Sequence, residues 1–275
     1  MKEITLQEGN ILAPFFKEAY DSCPEAFLQG VMGRGFCDST EDPTYGIIQM
    51  GDYCYLGGDG SGSQKKNLLS ILFTMLRRSH MIMVPLSESW NQQFYQSTGY
   101  QKVTRYALNR PNPQYFNKAK LTAYISNTAY DPNYAGANVS RRFIVKPIDE
   151  AFYYLLQKQD WSHSLTQNYA NYAAFSENGF GFVIIEGING KIASIASSFC
   201  TSLDSVEIEI ATSPHYRRKG LATAVSARMV LECLTREKQP CWDASNLISV
   251  TIAEKLGYHL SEEYISYEIY PSSSR

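Results

Sequence analysis

Three cations and a glycine stand together at Arg217-Arg218-Lys219-Gly220, with Leu221 and Ala222 directly after them. Upstream of them Val206-Glu207-Ile208-Glu209-Ile210-Ala211-Thr212 alternates, Ile208 and Ile210 on one parity and Glu207 and Glu209 on the other. That two-residue period is the period of a strand. Ser213-Pro214 breaks the pairing. From Gly220 onward Leu221, Val225, Met229, Val230, Cys233 and Leu234 return at helical spacing. The cations therefore sit between a strand and the first turn of a helix. Free N–H groups at a helix start point outward, the macrodipole adds about half a positive charge, and glycine lets a ligand approach the main chain closely. The chemistry of such an arrangement is the binding of a diphosphate. The same run also reads as a basic helix start exposed to water.

Downstream, Gln239-Pro240-Cys241-Trp242-Asp243-Ala244-Ser245-Asn246 reads as a short strand and a polar turn, with Asn246 opening a helix that Gly257 closes. Together these stretches resemble the acetyl-CoA-binding half of the GNAT acetyltransferases. The family's loop is Arg or Gln, two residues, Gly, one residue, then Gly or Ala, and Arg217, Gly220 and Ala222 meet it. Its second signature, an Asn on the next helix and a Gly-aromatic pair at that helix's end, is met by Asn246, Gly257 and Tyr258. The resemblance is close over residues 141–270 and weak over the first half.

It implies an α/β fold, of the mixed α+β sheet kind, with two GNAT-like acyl-CoA N-acyltransferase domains in tandem. It also implies that the acetyl thioester lies where the strand at 208–212 splays from the segment 241–244. Main-chain groups of Ile210, Ala211 and Thr212 would then hold the pantetheine arm. The N–H groups of Arg218, Lys219, Gly220, Leu221, Ala222 and Thr223 would meet the diphosphate, with Arg217 and Lys219 adding charge, and Asn246 and Ser249 would line the arm. The implied reaction moves acetyl from acetyl-CoA to a primary amine of a small-molecule or peptidyl acceptor by direct attack, with no metal. An amine that is mostly ammonium near neutral pH needs a base. Glu209 is the first candidate, Asp243 and Glu207 the next, although a strand carboxylate reads equally as solvated or ion-paired.

One departure matters. The family's Tyr four residues before the Gly of the Gly-aromatic pair is Ala253 here. Tyr258, Cys241 or a water would have to supply the thiolate's proton. Otherwise the chain is a non-catalytic acyl-CoA-binding or regulatory protein. A third possibility is an acyl- or aminoacyl-transferase with the same tandem body and another donor.

The elements that position these residues need a chain of some size, and 275 residues suffice for one large or two ordinary cores. Composition is that of globular proteins, 44% hydrophobic and 19% charged, and a net charge of -2 gives no general attraction to nucleic acid. No apolar run reaches membrane length, and Met-Lys-Glu-Ile-Thr at the start has no signal core. A cytoplasmic protein is expected, and a homo-oligomer is compatible with the sequence. Cys23, Cys37, Cys54, Cys200, Cys233 and Cys241 form no C-x-x-C pair and the four histidines are scattered, so the cysteines are expected as reduced small hydrophobes and no metal site is expected.

In the second half, strands are expected at 142–146, 180–185, 191–199 and 206–212, with Asn189-Gly190 as a hairpin turn, and helices at 149–156 and 164–175. A last strand is expected at 263–270. In the first half the pattern gives helices at 12–20, 68–76 and 87–96 and strands at 45–50, 53–56, 81–85 and 100–108. Gly33-x-Gly35 could be named a phosphate loop but is expected as a surface turn, since no clear strand precedes it and no clear helix follows. Gly-Tyr recurs at 99–100 and 257–258, 158 residues apart, each pair after the same strand, helix, strand, helix order. The first copy has Gly57 where the loop should open with Arg or Gln, and its Tyr95 reads as core packing. A degenerate domain at 1–130, a turn-rich linker at 131–140 and an acetyl-CoA-binding domain at 141–275 follow.

Overall fold

Alternating apolar runs too short for helices become strands here, and in the computed structural model they form two mixed sheets; residues 1–62, 80–95, 99–134 and 142–270 are described. The helix expected at 68–76 lies outside the described residues. By contacts the chain divides into Met1–Arg105 with Glu263–Arg275, and Tyr106–Glu262.

In the first unit β1 (Lys2–Ile4), β2 (Arg34–Cys37), β3 (Tyr45–Met50) and β4 (Tyr53–Gly58) run as an antiparallel meander. Next to β4 lies β5 (Met81–Pro85), parallel to it, then β13 (Leu260–Ile269), antiparallel to β5, and then β6 (Tyr100–Leu108). The helices α1 (Cys23–Leu28) and α2 (Glu88–Tyr95) accompany this sheet. Phe36, Ile47, Leu56, Met83, Trp90 and Phe94 form its core. The helix expected at 12–20 is instead a 3-10 turn at Leu6–Phe15 that contains Pro14. Proline lacks the N–H that an α-helical ladder needs, so the segment stays in short-range turns. Tyr95 also corrects the sequence reading: it is 67% exposed, with the Lys102 ammonium donating to its hydroxyl at 3.1 Å, and Phe94 takes the core place beside it.

The second unit is ordered β11-β10-β9-β8-β7, with β7 (Phe143–Pro147), β8 (Gly181–Glu186), β9 (Ile192–Thr201), β10 (Ser205–Thr212) and β11 (Gln239–Cys241). The hairpin turn expected at Asn189-Gly190 is there, Gly190 having a φ of 69° that suits glycine. Among the described strands of this unit β10 and β11 are the pair that runs parallel, which requires a crossover, and α6 (Leu221–Thr235) supplies it. Leu221, Val225, Met229, Val230 and Cys233 on α6 are buried in one core with Ile184, Ala196 and Ile208 of the sheet. At about 1.5–3 kcal/mol for each large apolar side chain, that face is what holds the crossover to the sheet.

Helix α3 (Lys118–Ser126) shares the same core through Leu121 and Ile125, and Asn117 caps it by accepting from Lys120 N at 2.9 Å. Helices α4 (Glu150–Leu156) and α5 (Tyr172–Asn178) precede the hairpin. The helix expected at 164–175 is broken into a 3-10 turn, His163–Thr166, and α5. Asn171 accepts from Ala174 N as the N-cap of a new helix, and Asn168 donates to Phe199 O of β9, so the break is capped on one side and tied to the sheet on the other. The tail of β6, Tyr106 and Ala107, pairs with β12 (Asp243–Ala244), and α7 (Leu247–Leu256) follows. All six cysteines are free and buried.

Asp131, in the turn-rich stretch, accepts from Arg228 of α6 at 3.1 Å, and both are nearly fully buried. Arg228 also donates to Glu232 at 2.9 Å and lies over the Phe182 ring at 3.9 Å. Tyr124 and Tyr134 pack against the same core.

Candidate active site

Strand β10 is paired on both sides only along its first half. On one side β9 runs antiparallel along it, with an irregularity between Glu207 and Ile208 that strengthens the local bend. On the other, β11 matches Ser205 with Gln239, Val206 with Pro240 and Glu207 with Cys241, and there the pairing stops. Asp243 and Ala244 turn instead to Ala107 and Tyr106. Among the described residues no strand covers β10 on that side beyond Glu207. Burial follows the split: Ser205 through Ile208 are buried, Glu209 through Thr212 half-buried. Alternate residues of this stretch aim main-chain N–H and C=O groups into the gap, ready to bond a ligand that takes the place of a strand.

The basic loop follows directly. Ser213 N closes the strand on Ala193 O at 3.0 Å, and Pro214–Tyr216 makes a 3-10 turn. Arg218 then takes a φ of 61° and Gly220 a φ of 77°. A left-handed arginine is an uncommon, strained backbone, and left-handed residues alternating with ordinary ones, as Arg218 and Gly220 do about Lys219, gather N–H groups into an anion-binding concavity. Helix α6 starts at Leu221 with no side-chain cap hydrogen bond and no acidic residue in its first turn. Its positive end is therefore not satisfied by the usual side-chain devices. Arg217, Arg218, Lys219 and Gly220 are exposed. Arg217 Nε donates to Thr212 O at 3.4 Å, and the Lys219 ammonium lies 5.1 Å from the centre of the Tyr216 ring. The Tyr216 hydroxyl donates to Glu186 at 2.8 Å, which with Asn189 holds that carboxyl below its ordinary range.

The structure gathers Ile210, Ala211, Thr212 and the 217–223 loop at one end of β10, while the side chains of Leu221 and Thr223 are buried. Thr212 Oγ1 is 2.8 Å from Ser194 Oγ, a partner the sequence did not suggest. Asn246 serves as the N-cap of α7, accepting from Ser249 N at 3.0 Å, and Ser249 Oγ accepts from Trp242 Nε1 at 3.0 Å. These two side chains fix α7 and the buried Trp242.

Of the carboxylates, Glu207 is buried where β10 is still paired, Glu209 stands just past the split, and Asp243 lies on β12. Ser164 Oγ donates to Glu209 Oε1 at 3.0 Å. No motif pointed to Ser164, which lies 45 residues upstream. Ala253 is fully buried, so the departure noted in the sequence is a core position. Tyr258 is fully buried too, its hydroxyl donates to Pro240 O at 3.3 Å, and burial raises its pKa well above the ordinary tyrosine value. A hydroxyl so placed is a packing group, and Cys241, 2% exposed, is equally enclosed.

The first unit holds the same strand order without the gap. Strands β4 and β5 stay paired from Tyr53 with Ile82 to Leu56 with Pro85, and Leu86 N continues onto Leu56 O at 2.9 Å. Beyond that, Trp90 Nε1 donates to Gly57 O at 3.2 Å, Ser87 Oγ to Gly58 O at 2.8 Å, and Ser89 Oγ accepts from Gly60 N at 2.8 Å. A Cβ on Gly57 would stand 2.5 Å from Phe15 O. The start of α2 and Phe15 thus fill, beside β4, the place where no described strand lies beside β10.

The family model for GNAT acetyltransferase matches residues 13–267. The chain belongs to the GNAT acetyltransferase family. A solved GCN5-related N-acetyltransferase-like protein from Streptococcus suis 89/1591 is similar at 28% identity, with a TM-score of 0.82 over 97% of this chain and 100% of that one. A tandem GNAT protein from the clavulanic acid biosynthesis pathway shares the fold at 9% identity and a TM-score of 0.53, over 98% of this chain and 94% of that one. Among curated proteins, the uncharacterized N-acetyltransferase YdfB of Bacillus subtilis (strain 168) is 32% identical over 115 residues, 38% of this chain and 43% of that protein. The chain thus spans less than half the length of that relative. In this GNAT chain the open strand pair and the basic loop fall within the matched residues.

Proposed function

We infer that this chain is an acetyl-CoA-dependent N-acetyltransferase whose acceptor is a primary amine of a small molecule or peptide. The reading rests on the parting of β10 from β11 after Glu207, directly before an uncapped, basic helix start. Main-chain groups of residues 210–212 hold the thioester arm, and donors among them stabilise the carbonyl oxygen as charge develops on it. The N–H groups at 218–223 take the diphosphate, with Arg217 and Lys219 adding charge. Glu209 removes a proton from the ammonium, the neutral amine attacks the acetyl carbon, and the C–S bond breaks. The proton left on the new amide nitrogen passes to the departing thiolate directly or through water, and Glu209 returns its own proton to solvent. Asp243 is the second candidate for the base.

The buried Ala253 and enclosed Tyr258 favour one other reading, an acyl-CoA-binding protein without turnover. Two measurements on the full chain separate them. Thermal stabilisation by acetyl-CoA tests the binding site, and free thiol release with a panel of primary amines tests transfer. Stabilisation with no release for any amine favours the binder; absence of stabilisation overturns both readings.

A further inference from the structure

We propose that Ser164, on the 3-10 turn His163–Thr166, is a positioning residue that fixes the Glu209 carboxylate at its place on β10 just past the point where β11 parts from it. This rests on the reading of Glu209 as the base. The contact is the 3.0 Å hydrogen bond from Ser164 Oγ to Glu209 Oε1. Strand and turn are both referenced to β9. Glu209 is in register with Ser197. The next two residues of β9 anchor the segment that carries Ser164: Asn168 donates to Phe199 O at 2.9 Å, and the Tyr169 hydroxyl donates to Ser198 Oγ at 2.9 Å. From the other side Ser162 Oγ donates to Leu156 O at 2.9 Å, the Tyr153 hydroxyl to Tyr169 O at 2.9 Å, and Leu165 and Thr166 are buried. Ser164 itself stays half-buried. A turn tied at both ends while one hydroxyl reaches a carboxylate is the support that keeps a reacting group within its working geometry.

The chemistry of the contact is specific. A hydroxyl that donates to a carboxylate stabilises the ionised form, the form able to accept the amine's proton, and fixes the plane of the carboxylate. In the step it serves, the ammonium N–H bond breaks, the proton goes to a Glu209 oxygen, and the nitrogen keeps the electron pair for attack. Ser164 neither gains nor loses a proton in the cycle.

The test uses the full chain with 13C-labelled glutamate side chains, the Glu209 signal being assigned by its loss in Glu209→Gln. In Ser164→Ala the Glu209 titration midpoint rises by about one pH unit, the scale of one lost charge-assisted hydrogen bond. Ser164→Thr returns it toward the original value. The acid limb of thiol release, followed with the amine that turns over best, moves with the midpoint, while acetyl-CoA affinity is unchanged. A midpoint that does not move in Ser164→Ala overturns the proposal, even where Glu209→Gln abolishes thiol release and so keeps Glu209 as the base. Full thiol release by Glu209→Gln refutes Glu209 as the base and the positioning role with it, while a moved midpoint would still record the hydrogen bond.

Discussion

At the residue scale the loop and the acid question lead to different expectations. Arg217 is exposed, and among the described residues its guanidinium bonds a main-chain carbonyl at a long 3.4 Å. Its guanidinium is therefore available to a diphosphate at little cost to the fold. Arg217→Ala is expected to weaken acetyl-CoA binding by about 1–3 kcal/mol with the melting temperature of the unliganded chain nearly unchanged, as calorimetry and thermal denaturation would read. Unchanged affinity would remove the loop from the site. Tyr258 is the reverse case, with a hydroxyl bonded to Pro240 O and a ring packed on Trp242 and Phe116. Tyr258→Phe is expected to cost about 0.5–1.5 kcal/mol of stability and to leave the rate of thiol release within a factor of two or so. A loss of a hundredfold would make the hydroxyl the thiolate's acid after all.

At the element scale, strands and the crossover helix were legible because their pattern is local. Isoleucines alternating with glutamates at 206–212, Asn189-Gly190, and the apolar positions of α6 each state their geometry within a dozen residues. Gly220 and Gly257, both at φ values near those of a left-handed cap, stood out for the same reason. What long-range partners decide was not legible. The break after the 3-10 turn at His163–Thr166 is tied to β9 through Asn168 and Phe199 O, and Tyr95 reads as an inward aromatic until its hydroxyl is seen to accept from the strand lysine Lys102. The Arg228 pair with Asp131 spans 97 residues, so no local pattern announces it. Ser164 escaped for this reason too.

One clamp between strands carries a pH dependence. His80, just before β5, faces Asp52 at 3.6 Å and Glu268 of β13 at 3.8 Å, and stacks on Tyr270. The neighbouring Asp52 carboxylate, ahead of the Glu268 charge, raises its pKa above the ordinary histidine value. The folded state therefore favours the protonated ring. This stabilisation is complete below the unfolded value of about 6.5 and is lost as pH rises through the raised folded value. Urea denaturation is expected to show the wild type more stable than His80→Gln at about pH 5.5, with the difference shrinking by about pH 8.5. A difference that stays constant across that range would mean the ring acts only by packing.

At the scale of the whole molecule, the two copies differ in the feature on which the proposed binding rests. Beside β10 no described strand covers Ile208 through Thr212 on the β11 side; beside β4 the pairing runs on to Leu86, and Trp90, Ser87 and Ser89 take the groups that follow. To admit a ligand arm in the first unit, three hydrogen bonds of about 0.5–1.5 kcal/mol each would have to break, and the buried Trp90 ring would have to leave its core at about 3 kcal/mol or more. A cost of that size lowers affinity by more than three orders of magnitude. The order of strands is shared, so a chain that merely inherited two working copies would bind twice. The expected stoichiometry is instead one acetyl-CoA per chain by isothermal titration calorimetry, with the same single isotherm weakened throughout in Arg217→Ala. Two equivalents bound, or a second isotherm untouched by Arg217→Ala, would place a working site in the first unit and show that the seal made by Trp90 opens at far lower cost than its burial implies.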